Sequence, residues 1–363
     1  MSARSWFSEQ LLSWYEEEHR DLPWRRTKDP YRIWLSEVML QQTRVEQGVG
    51  YYERFLDAFP TVHALAAASE RKVLRLWQGL GYYSRARNLH AAARQVVLEH
   101  GGRFPADHTA LRALPGVGDY TAAAVASIAF GLHHAVVDGN VYRVLARVFD
   151  IDTPIDSTEG RRRFRDLASS LLPATDAGTH NQAVMELGAL ICTPRKPGCT
   201  NCPVASWCLA LAQDRVASLP VKQGRTRVRD RWFHYIWVQK GDFAYLQERP
   251  AGDIWQGLWE PPLIEGRRKL GTRAVTSALQ ELTGEGSWRL IGPQHKVRHI
   301  LSHQHLHTRF WTAELPEGVH VPASWVAIPK RALDRYPMPR LVERSTYLLA
   351  RMPTKNGTSG PEA

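Results

Sequence analysis

The spacing of apolar residues changes near residue 215 of this 363-residue chain. Before that point, apolar residues recur at helical intervals in many short segments, which stop at prolines or at the pair Gly101-Gly102. Such spacing places apolar side chains on one face of each segment. The pattern therefore predicts a mostly helical domain over residues 1–214.

Strand-like patterns appear only in the second part of the chain. Residues 215–231, RVASLPVKQGRTRVRDR, are basic and rich in turn formers and predict a linker. The next stretch, WFHYIWVQKGDFAYLQERP, alternates aromatic and polar residues around Lys240-Gly241-Asp242, as a β-hairpin would. With one helix predicted in RAVTSALQELTG, residues 232–351 form an α+β domain, and residues 352–363 are expected to be a disordered tail.

A glycine-rich turn lies in the segment LPGVGDYTAAAVASIAF, residues 114–130. Gly116 and Gly118 bracket the turn, and the small residues after Asp119 predict a helix. The free N–H groups and positive dipole end of that helix suit an anion such as phosphate. The structural alternative is a corner between two helices that uses glycine only for its turn.

Two carboxylates have positions that suit chemistry as well as structure. Asp138 follows an apolar Val-Val pair and precedes a predicted helix, so it is either a helix cap worth about 1 kcal/mol or a residue facing a groove. Glu37 has apolar neighbours at i−4, i−3 and i+3 of a predicted helix, which indicates burial, a raised pKa and a role as general acid. A buried pair with Arg25 or Arg26 is the structural alternative for Glu37.

All four cysteines lie within residues 192–208, CTPRKPGCTNCPVASWC. Disulfides are typical of secreted proteins, whereas the N-terminus of this chain has no apolar signal-like region. The cluster therefore predicts a metal site. Four thiolates suit either zinc or an iron–sulfur cluster, and ligand chemistry alone leaves both open.

Composition agrees with an intracellular globular protein of about two domains, since no apolar run approaches the roughly 18 residues of a membrane span. The formal charge of +11 favours a polyanionic partner such as nucleic acid. Residues 221–363 carry 22 Lys or Arg against 13 Asp or Glu, whereas residues 1–220 carry 25 against 23. The excess positive charge is therefore concentrated in the second domain.

Five motifs together resemble, in order, the MutY family of adenine DNA glycosylases within the endonuclease III superfamily. They are SEVMLQQT, QGLGYYSRARNL, LPGVGDYTA, VDGNVYRVLAR and Cys-x6-Cys-x2-Cys-x5-Cys. The resemblance extends from residue 6 to about residue 350 and includes DIWQGLWEPP. It implies a mainly α glycosylase domain with a helix-hairpin-helix at 107–130 and a cluster loop at 192–208, followed by an α+β domain of Nudix-like shape that recognises 8-oxoguanine.

The resemblance implies removal of adenine mispaired with 8-oxoguanine or guanine in double-stranded DNA. The adenosine must be flipped out, because no side chain reaches the bond inside a stacked duplex. Glu37 would protonate the adenine, and Asp138 would stabilise the oxocarbenium-like sugar, with covalent capture as an alternative. Tyr120 and Asn140 match positions beside this pair.

Further positions match the binding residues of the family. Around the adenine these are Arg26, Gln42 and Glu186, and Tyr82 matches a wedge at the oxidised guanine. Ser302 and His303 match the last two members of a Phe-Ser-His type loop that probes this base, while Leu301 replaces the aromatic residue.

The resemblance also implies a cofactor, a four-iron, four-sulfur cluster of mainly structural role. Its ligands would be Cys192, Cys199, Cys202 and Cys208. In the family this loop lies against the DNA backbone, and Arg195 and Lys196 lie in it here.

Three rival functions are less well supported. Bifunctional endonuclease III-type enzymes, which act on damaged pyrimidines, use a lysine amine where this chain has Tyr120, so hydrolysis without strand cleavage is expected. A Nudix hydrolase needs a box of clustered glutamates that SALQELTGEGS lacks, and a DNA-binding redox module would leave Glu37 and Asp138 without a purpose.

The alternating histidines in SHQHLHT lack an acidic or cysteine ligand, which disfavours a metal site. We expect a cytoplasmic, DNA-associated bacterial monomer.

Overall fold

The structure is a computed structural model that describes residues 3–224, 228–284 and 286–351, so the predicted tail at 352–363 lies outside the described residues. The chain divides into two compact units. Within the described residues, the helical unit comprises 3–68 and 87–224, and the β unit comprises 69–86, 228–284 and 286–351. The segment 69–86 therefore belongs to the unit formed by the C-terminal half. No helix in the described residues is long and apolar enough to cross a membrane.

Short helices with polar caps form the first part of the chain. Asp29, Thr61, Asp107, Ser157 and Asp176 each accept a backbone N–H bond at a helix start, which fixes where these helices begin. The helices are α1 (Ala3–Glu18), α2 (Pro30–Leu40), α3 (Val45–Ala58), α4 (Val62–Ala67), α5 (Glu70–Trp77), α6 (Ser84–His100), α7 (His108–Arg112), α8 (Asp119–Phe130), α9 (Gly139–Val148), α10 (Thr158–Leu171), α11 (Ala177–Leu190) and α12 (Leu209–Ala212).

One hydrophobic core of the helical unit is built from α1, α9, α10 and α11. Phe7, Leu145, Phe164 and Leu187 are each at most 1% exposed in this core. Leu219 also belongs to it at 2% exposure, although it lies inside the predicted linker, and two valines of the same segment pack against it. Apolar side chains in a basic segment can thus anchor that segment to a core.

Most of the predicted linker at 215–231 belongs either to the helical unit before it or to the first strand after it. The Nε of Arg147 donates to the carbonyl oxygen of Leu219 at 3.1 Å, and the carboxylate of Asp156 accepts the N–H groups of Gln223 and Gly224 at 2.9 and 2.7 Å. The first strand begins at Arg229. The described chain is therefore held to the helical unit as far as residue 224.

The β unit contains a mixed sheet with the order β3-β2-β1-β6-β5, in which β4 pairs with β1 and β7 pairs with β2. The predicted hairpin is confirmed, since β1 and β2 are antiparallel and joined at Gly241, whose φ is 56°. The predicted helix is also present, as α13. The elements are β1 (Arg229–Lys240), β2 (Phe243–Glu248), β3 (Trp259–Glu260), β4 (Leu263–Gly266), α13 (Thr272–Thr283), β5 (Leu290–Ile300), β6 (Gln304–Glu314), β7 (Val326–Pro329) and α14 (Arg340–Glu343).

Both faces of the central strand β1 are buried. Phe233, Tyr235 and Trp237 pack into one hydrophobic cluster, whereas Ile236 and Val238 pack into another together with α13. Side chains alternate across a strand, so β1 supplies two cores at once. This explains why its sequence is apolar over most of its length.

The segment 69–86 joins the β unit through α5 and the turn after it. The amide Oε1 of Gln78 accepts the N–H of Met338 at 3.1 Å, and Arg75 lies 3.9 Å from the carboxylate of Glu343. Leu74 and Trp77 of α5 are buried. These contacts join residues about 260 positions apart in the chain.

Candidate active site

Glu37 is a buried carboxyl group in the middle of α2. It is 8% exposed, as its apolar helix neighbours predict. Burial raises the pKa of Glu37, a hydrogen bond from Tyr120 and the charge of Arg25 oppose this shift, and the nearby Asp138 adds to it, with a resulting pKa of about 7. The Tyr120 hydroxyl donates to Glu37 Oε2 at 2.6 Å. Glu37 can therefore hold a proton near neutral pH.

The two arginines considered as partners of Glu37 bind other carboxylates. Arg25 donates through both terminal nitrogens to Glu186, at 2.8 and 2.7 Å. Arg26 pairs with Asp21 at the surface. Within the part of the chain that the structure describes, Glu37 forms no ion pair. The structural alternative for Glu37 is thus not observed.

Asp138 is both a helix cap and a lining residue of the cavity that contains Glu37. Its Oδ1 accepts the N–H of Val141 at 2.8 Å, which caps α9, and its Oδ2 accepts the side-chain amide of Asn140 at 2.9 Å. Partial burial raises the pKa of Asp138, and these two hydrogen bonds oppose that shift. Neither of the two predicted roles excludes the other.

The catalytic cavity, as we name this space, lies in the helical unit and has a volume of about 190 Å³. It brings together five residues that the sequence and the resemblance selected, from α2, α8, α9 and α11. Its walls also contain apolar side chains such as Trp24, Ile33 and Leu40. The five are Glu37, Tyr120, Asp138, Asn140 and Glu186.

Arg26 and Gln42, which the resemblance placed around the adenine, do not line the catalytic cavity. The side chain of Arg26 is 66% exposed, and Gln42 is exposed in the turn between α2 and α3 with a φ of 57°. Helix α2 ends at Leu40, two residues before Gln42. Arg25, one residue before Arg26, lines the cavity instead.

Glu186 holds two arginines at the cavity wall. Its carboxylate accepts Arg20 Nε at 2.9 Å and Arg20 Nη2 at 2.6 Å, in addition to both bonds from Arg25. Burial alone would raise the pKa of Glu186, but the hydrogen bonds from Arg25 and Arg20 outweigh it and lower the pKa to about 2. Glu186 is therefore ionised, and its oxygens are already occupied by guanidinium groups.

The predicted helix-hairpin-helix consists of α7, a turn and α8. Gly116 has a φ of 73°, and a Cβ there would lie 2.6 Å from the Cβ of Asn88, so this position requires glycine. Gly118 precedes α8 with extended backbone, and a Cβ there would meet nothing within 4 Å. The N-terminus of α8 therefore stays open near Gly118.

The four cysteines line one small apolar cavity in the helical unit with Val144, Val148 and Ile191. Burial raises the pKa of Cys202, and the three other thiols add to this shift, with a resulting pKa of about 11. A bound cation would reverse this effect, because metals bind thiolates. Among the described residues, no three His, Cys, Asp or Glu side chains are arranged to hold a metal ion.

Tyr82 and the turn between β5 and β6 meet within the β unit. The Tyr82 hydroxyl donates to Ser302 Oγ at 3.4 Å, and Ser302 Oγ lies 3.2 Å from His303 Nδ1. Tyr82 has a φ of 46°, and the guanidinium of Arg85 lies 5.7 Å from its ring centre. The three residues assigned by resemblance to the oxidised guanine thus share one surface.

The histidines that follow this turn differ from expectation. His303 precedes β6, so only His305 and His307 alternate on the strand. They lie 3.7 and 2.6 Å from Asp230 Oδ1 on β1, so an acidic side chain does accompany them. Sequence spacing did not show this pairing, because the parallel register of β1 and β6 creates it.

Comparison with known proteins gives matches over both units. Residues 35–169 match the family model described as HhH-GPD superfamily base excision DNA repair protein, and residues 234–346 match a NUDIX domain. The chain is 49% identical over 373 residues to the adenine DNA glycosylase of Rattus norvegicus, covering 88% of this chain and 72% of that protein. It is 30% identical over 298 residues to the adenine DNA glycosylase of Buchnera aphidicola, covering 82% and 84%. The chain belongs to the adenine DNA glycosylase family.

Solved structures of related glycosylases share the helical fold. A thermostable thymine-DNA glycosylase has a TM-score of 0.54 and 32% identity, covering 58% of this chain and 97% of that one. A trapped endonuclease III–DNA covalent intermediate has a TM-score of 0.51 and 21% identity, covering 59% and 99%, and shows the fold alone. The predicted family, the helical and Nudix-like fold and the base-excision repair glycosylase activity are thus confirmed.

Arg143 of this glycosylase was missed by the sequence reasoning. Its Nη2 donates to Asn140 Oδ1 at 2.8 Å and to the carbonyl of Gly188 at 2.7 Å, and its Nε donates to the carbonyl of Cys192 at 2.6 Å. Arg147, one turn later, donates to Cys192 Sγ at 3.4 Å. The sequence did contain one signal for these residues: Arg143 and Arg147 are four positions apart, which puts both on one face of α9.

Proposed function

We propose that this chain removes adenine mispaired with 8-oxoguanine or guanine by hydrolysing the N-glycosidic bond, without cleaving the strand. One observation carries the proposal. Glu37, a buried carboxyl group with a pKa of about 7, shares a cavity with Asp138, a carboxyl group whose oxygens accept polar hydrogens. An acid and a charge-stabilising group in one pocket are what cleavage of a glycosidic bond requires.

In this mechanism the adenosine is flipped from the duplex, and its base enters the catalytic cavity. The proton of Glu37 moves to a ring nitrogen of adenine, and the bonding electrons leave with the base as the bond to C1′ breaks. Asp138, oriented by Asn140, stabilises the positive charge on the sugar until water adds to C1′ and releases a proton. Capture of C1′ by an Asp138 oxygen remains a second route to the same product.

Hydrolysis without strand cleavage follows from the side chains present. A lyase needs an amine that forms a Schiff base with the sugar. The described residues that line the catalytic cavity include no lysine, and the Tyr120 hydroxyl is hydrogen-bonded to Glu37. Tyr120 therefore holds the acid in place and forms no covalent bond with the sugar.

We assign the four cysteines to a four-iron, four-sulfur cluster, because their Cys-x6-Cys-x2-Cys-x5-Cys spacing resembles that of the cluster ligands of the family. Cysteine thiolates are the usual ligands of such a cluster. The four cysteines line one small apolar cavity, in which the cluster would lie. When bound, the cluster would supply the positive charge that keeps the thiolates deprotonated. Exposed Arg195 and Lys196 in this loop would then contact the DNA backbone.

Recognition of the oxidised base is assigned to Tyr82, Ser302 and His303, which meet in the β unit. The hairpin at Gly116 and Gly118 would bind a phosphate at the open N-terminus of α8. We propose that the recognition domain begins after residue 224 and also includes segment 69–86, a proposal that the division into two compact units supports. The protein would act as a monomer.

Nucleotide hydrolysis by the Nudix-like unit is less well supported. Its carboxylates Asp253, Glu260 and Glu265 accept hydrogen bonds from the buried Arg231 and Arg249 at 2.6 to 2.8 Å. Carboxylates held by guanidinium groups are poor ligands for magnesium, which requires free oxygen donors. This arrangement favours a structural role for them.

The test is single-turnover excision of adenine from a duplex with one A:8-oxoguanine pair. Glu37→Gln should bind the duplex with the affinity of the parent but release adenine at least about 1,000-fold more slowly, because the acid is lost. The matched control is Glu53→Gln, an exposed glutamate on α3. Turnover by Glu37→Gln near the parent rate would remove Glu37 from the mechanism, and strand scission trapped by borohydride in the parent would make the enzyme bifunctional.

A further inference from the structure

A second cavity in the helical unit, of about 420 Å³, has no part in the chemistry described above. It is bounded by the α7–α8 hairpin, the loop that leads to Asp138, and α10. Tyr120 is the one lining residue that it shares with the catalytic cavity. We name it the arginine cavity, because Arg112, Arg161 and Arg165 line it.

The arginine cavity carries an excess of positive charge. Among its described lining residues, three arginines face one carboxylate, that of Asp119. Asp119 accepts Arg112 Nε at 2.6 Å and lies 3.8 Å from Arg165 Nη2, so one acid is shared by two of the arginines. One carboxylate cannot neutralise three guanidinium groups, and the positive charge that remains favours an anionic ligand.

Two histidines that can donate hydrogen bonds, His108 and His134, also line the arginine cavity. The rings of His108 and His134 stack with centroids 4.5 Å apart and an interplanar angle of 17°. Burial lowers the pKa of His134 and the neighbouring His108 lowers it further, so His134 is neutral near pH 7 and still has one N–H to donate. Guanidinium forks and neutral N–H donors are the groups that proteins use to hold phosphate.

We propose that the arginine cavity binds one backbone phosphate of the DNA strand whose adenine enters the catalytic cavity. The shared wall at Tyr120 places this anion site next to the position of the flipped nucleotide. The inference rests on the proposed function only for the identity of that strand. The phosphate would fix the sugar–phosphate backbone beside the reacting sugar, and this contact carries no sequence information.

Two arginines of α10 provide the test, with a third as matched control. Arg161→Gln and Arg165→Gln, alone and together, remove charge from the cavity, whereas Arg162→Gln removes the same charge from the same helix outside it. All three positions are exposed, so the fold should tolerate each change, and thermal unfolding checks this. Binding is measured on duplexes with a tetrahydrofuran abasic site in place of adenine, so no excision is needed.

The double substitution should weaken binding by about 5- to 20-fold at low salt and reduce the slope of log affinity against log salt by about one unit. Arg162→Gln should leave both values near those of the parent. A loss for Arg162→Gln as large as that for Arg161→Gln or Arg165→Gln would reduce the effect to net charge and overturn the proposal, because each of these three changes removes one charge.

The phosphate is located by replacing one phosphate at a time with a neutral methylphosphonate. At one position on the abasic strand, this change should weaken binding by the parent and by Arg162→Gln about fivefold, but should leave the double variant unaffected. Independent effects at every position, or coupling to the opposite strand, would overturn the proposal. So would binding of inorganic phosphate that depends on Arg161 and Arg165 without coupling to any backbone position. None of these readouts depends on adenine release, so they remain valid if the proposed excision fails.

Discussion

The pKa of Glu37 reflects a balance between burial and one hydroxyl group. Burial removes water from the carboxylate and raises its pKa, and the donor hydrogen bond from Tyr120 lowers it. Because a general acid works best with a pKa near the working pH, Tyr120 would, in the proposed mechanism, prevent Glu37 from being too weak an acid. Tyr120 thus has a role beyond replacing a lysine.

Tyr120→Phe should therefore shift the pH profile of excision. Without the hydroxyl, the pKa of Glu37 rises above about 7, and the acid stays protonated to higher pH. Since excision needs the protonated form, the rate falls above the pKa, and this alkaline limb should move to higher pH in the variant. The measurement is kcat/KM for adenine release from pH 5 to 9. An unmoved limb, or one that moves to lower pH, contradicts the assignment.

The same carboxyl group should reduce the stability of the parent at alkaline pH. The pKa of Glu37 is about 7 in the folded chain and near 4.5 ordinarily, so the folded state binds the proton more tightly and loses stability as pH rises between these values. Glu37→Gln removes this loss. We expect the variant to be more stable than the parent by about 1 to 3 kcal/mol at pH 8 and by less at pH 5.

Denaturant unfolding of both proteins at the two pH values measures this difference. Glu53→Gln is again the control, because an exposed glutamate should change stability by similar small amounts at pH 5 and pH 8. A gain for Glu37→Gln that does not depend on pH would show that the charge of Glu37 is not its cause.

Local sequence could select Glu37 but not the arginine that lines its cavity. The apolar neighbours of Glu37 lie on one helix, so its burial could be predicted from a short window. Arg25 and Arg26 are adjacent and chemically identical. Arg25 turns inward because Glu186, 161 positions later, accepts its guanidinium. Only the folded chain supplies that partner.

At the scale of elements, α9 connects the cysteine loop to the catalytic cavity. Asp138 caps its N-terminus, Asn140 lies in its first turn, and its next turns carry Arg143 and Arg147. Arg143 joins Asn140 to the carbonyl of Cys192, and Arg147 donates to the carbonyl of Thr193 at 2.8 Å. A change in the loop can therefore reach Asp138 through one helix.

Cys199→Ser should affect both DNA binding and excision. Loss of one ligand of the proposed cluster would loosen the loop, and with it the acceptors that hold Arg143 in place. We expect affinity for the mispaired duplex to fall by about 10- to 100-fold and adenine release from the bound complex to slow as well. Absorption near the blue end of the visible spectrum and iron content report the cluster.

Two results would contradict this connection. If the absorption is lost while affinity is unchanged, the loop is remote from DNA. If affinity falls while single-turnover release stays at the parent rate, α9 does not transmit the change to Asp138.

Elements with a strong local pattern could be predicted from the sequence, whereas the unit to which a connecting segment belongs could not. The β1–β2 hairpin and α13 follow from alternation and helical spacing within their own residues. Residues 215–231 were predicted to be a linker because they are basic and rich in turn formers. Leu219 nevertheless packs into the core of the helical unit, and Arg147, 72 positions earlier, donates to its carbonyl oxygen, so no local pattern contains this information.

At the scale of the whole chain, the segment 69–86 links a motif of the first half to the β unit. Its helical spacing predicted a place in the helical domain, while resemblance assigned Tyr82 to the same base as Ser302. The contact between these two residues spans 220 positions and favours the second view. Periodicity identifies a helix, but it does not identify the core against which the helix packs.

The proposed division of labour predicts that catalysis and recognition can be separated. We place the cut after Gly224, because Asp156 still holds the backbone of Gln223 and Gly224. The truncated protein should still excise adenine, since the residues of the catalytic cavity remain. It should lose much of its preference for 8-oxoguanine over guanine. Its binding should also depend less on salt, because residues 225–363, which the cut removes, carry 21 basic against 13 acidic residues.

A full-length variant separates loss of recognition from loss of packing. Truncation also removes the partners of α5, where Leu74 and Trp77 are buried, so a lower preference could follow from a disturbed Tyr82 alone. Ser302→Ala in the intact chain removes the hydroxyl near Tyr82 and His303 without exposing α5. Single-turnover rates on A:8-oxoguanine and A:G duplexes at several salt concentrations are compared for all three proteins. If both variants keep the preference of the parent, the oxidised base is read outside residues 228–351, and the charge of that region serves affinity alone.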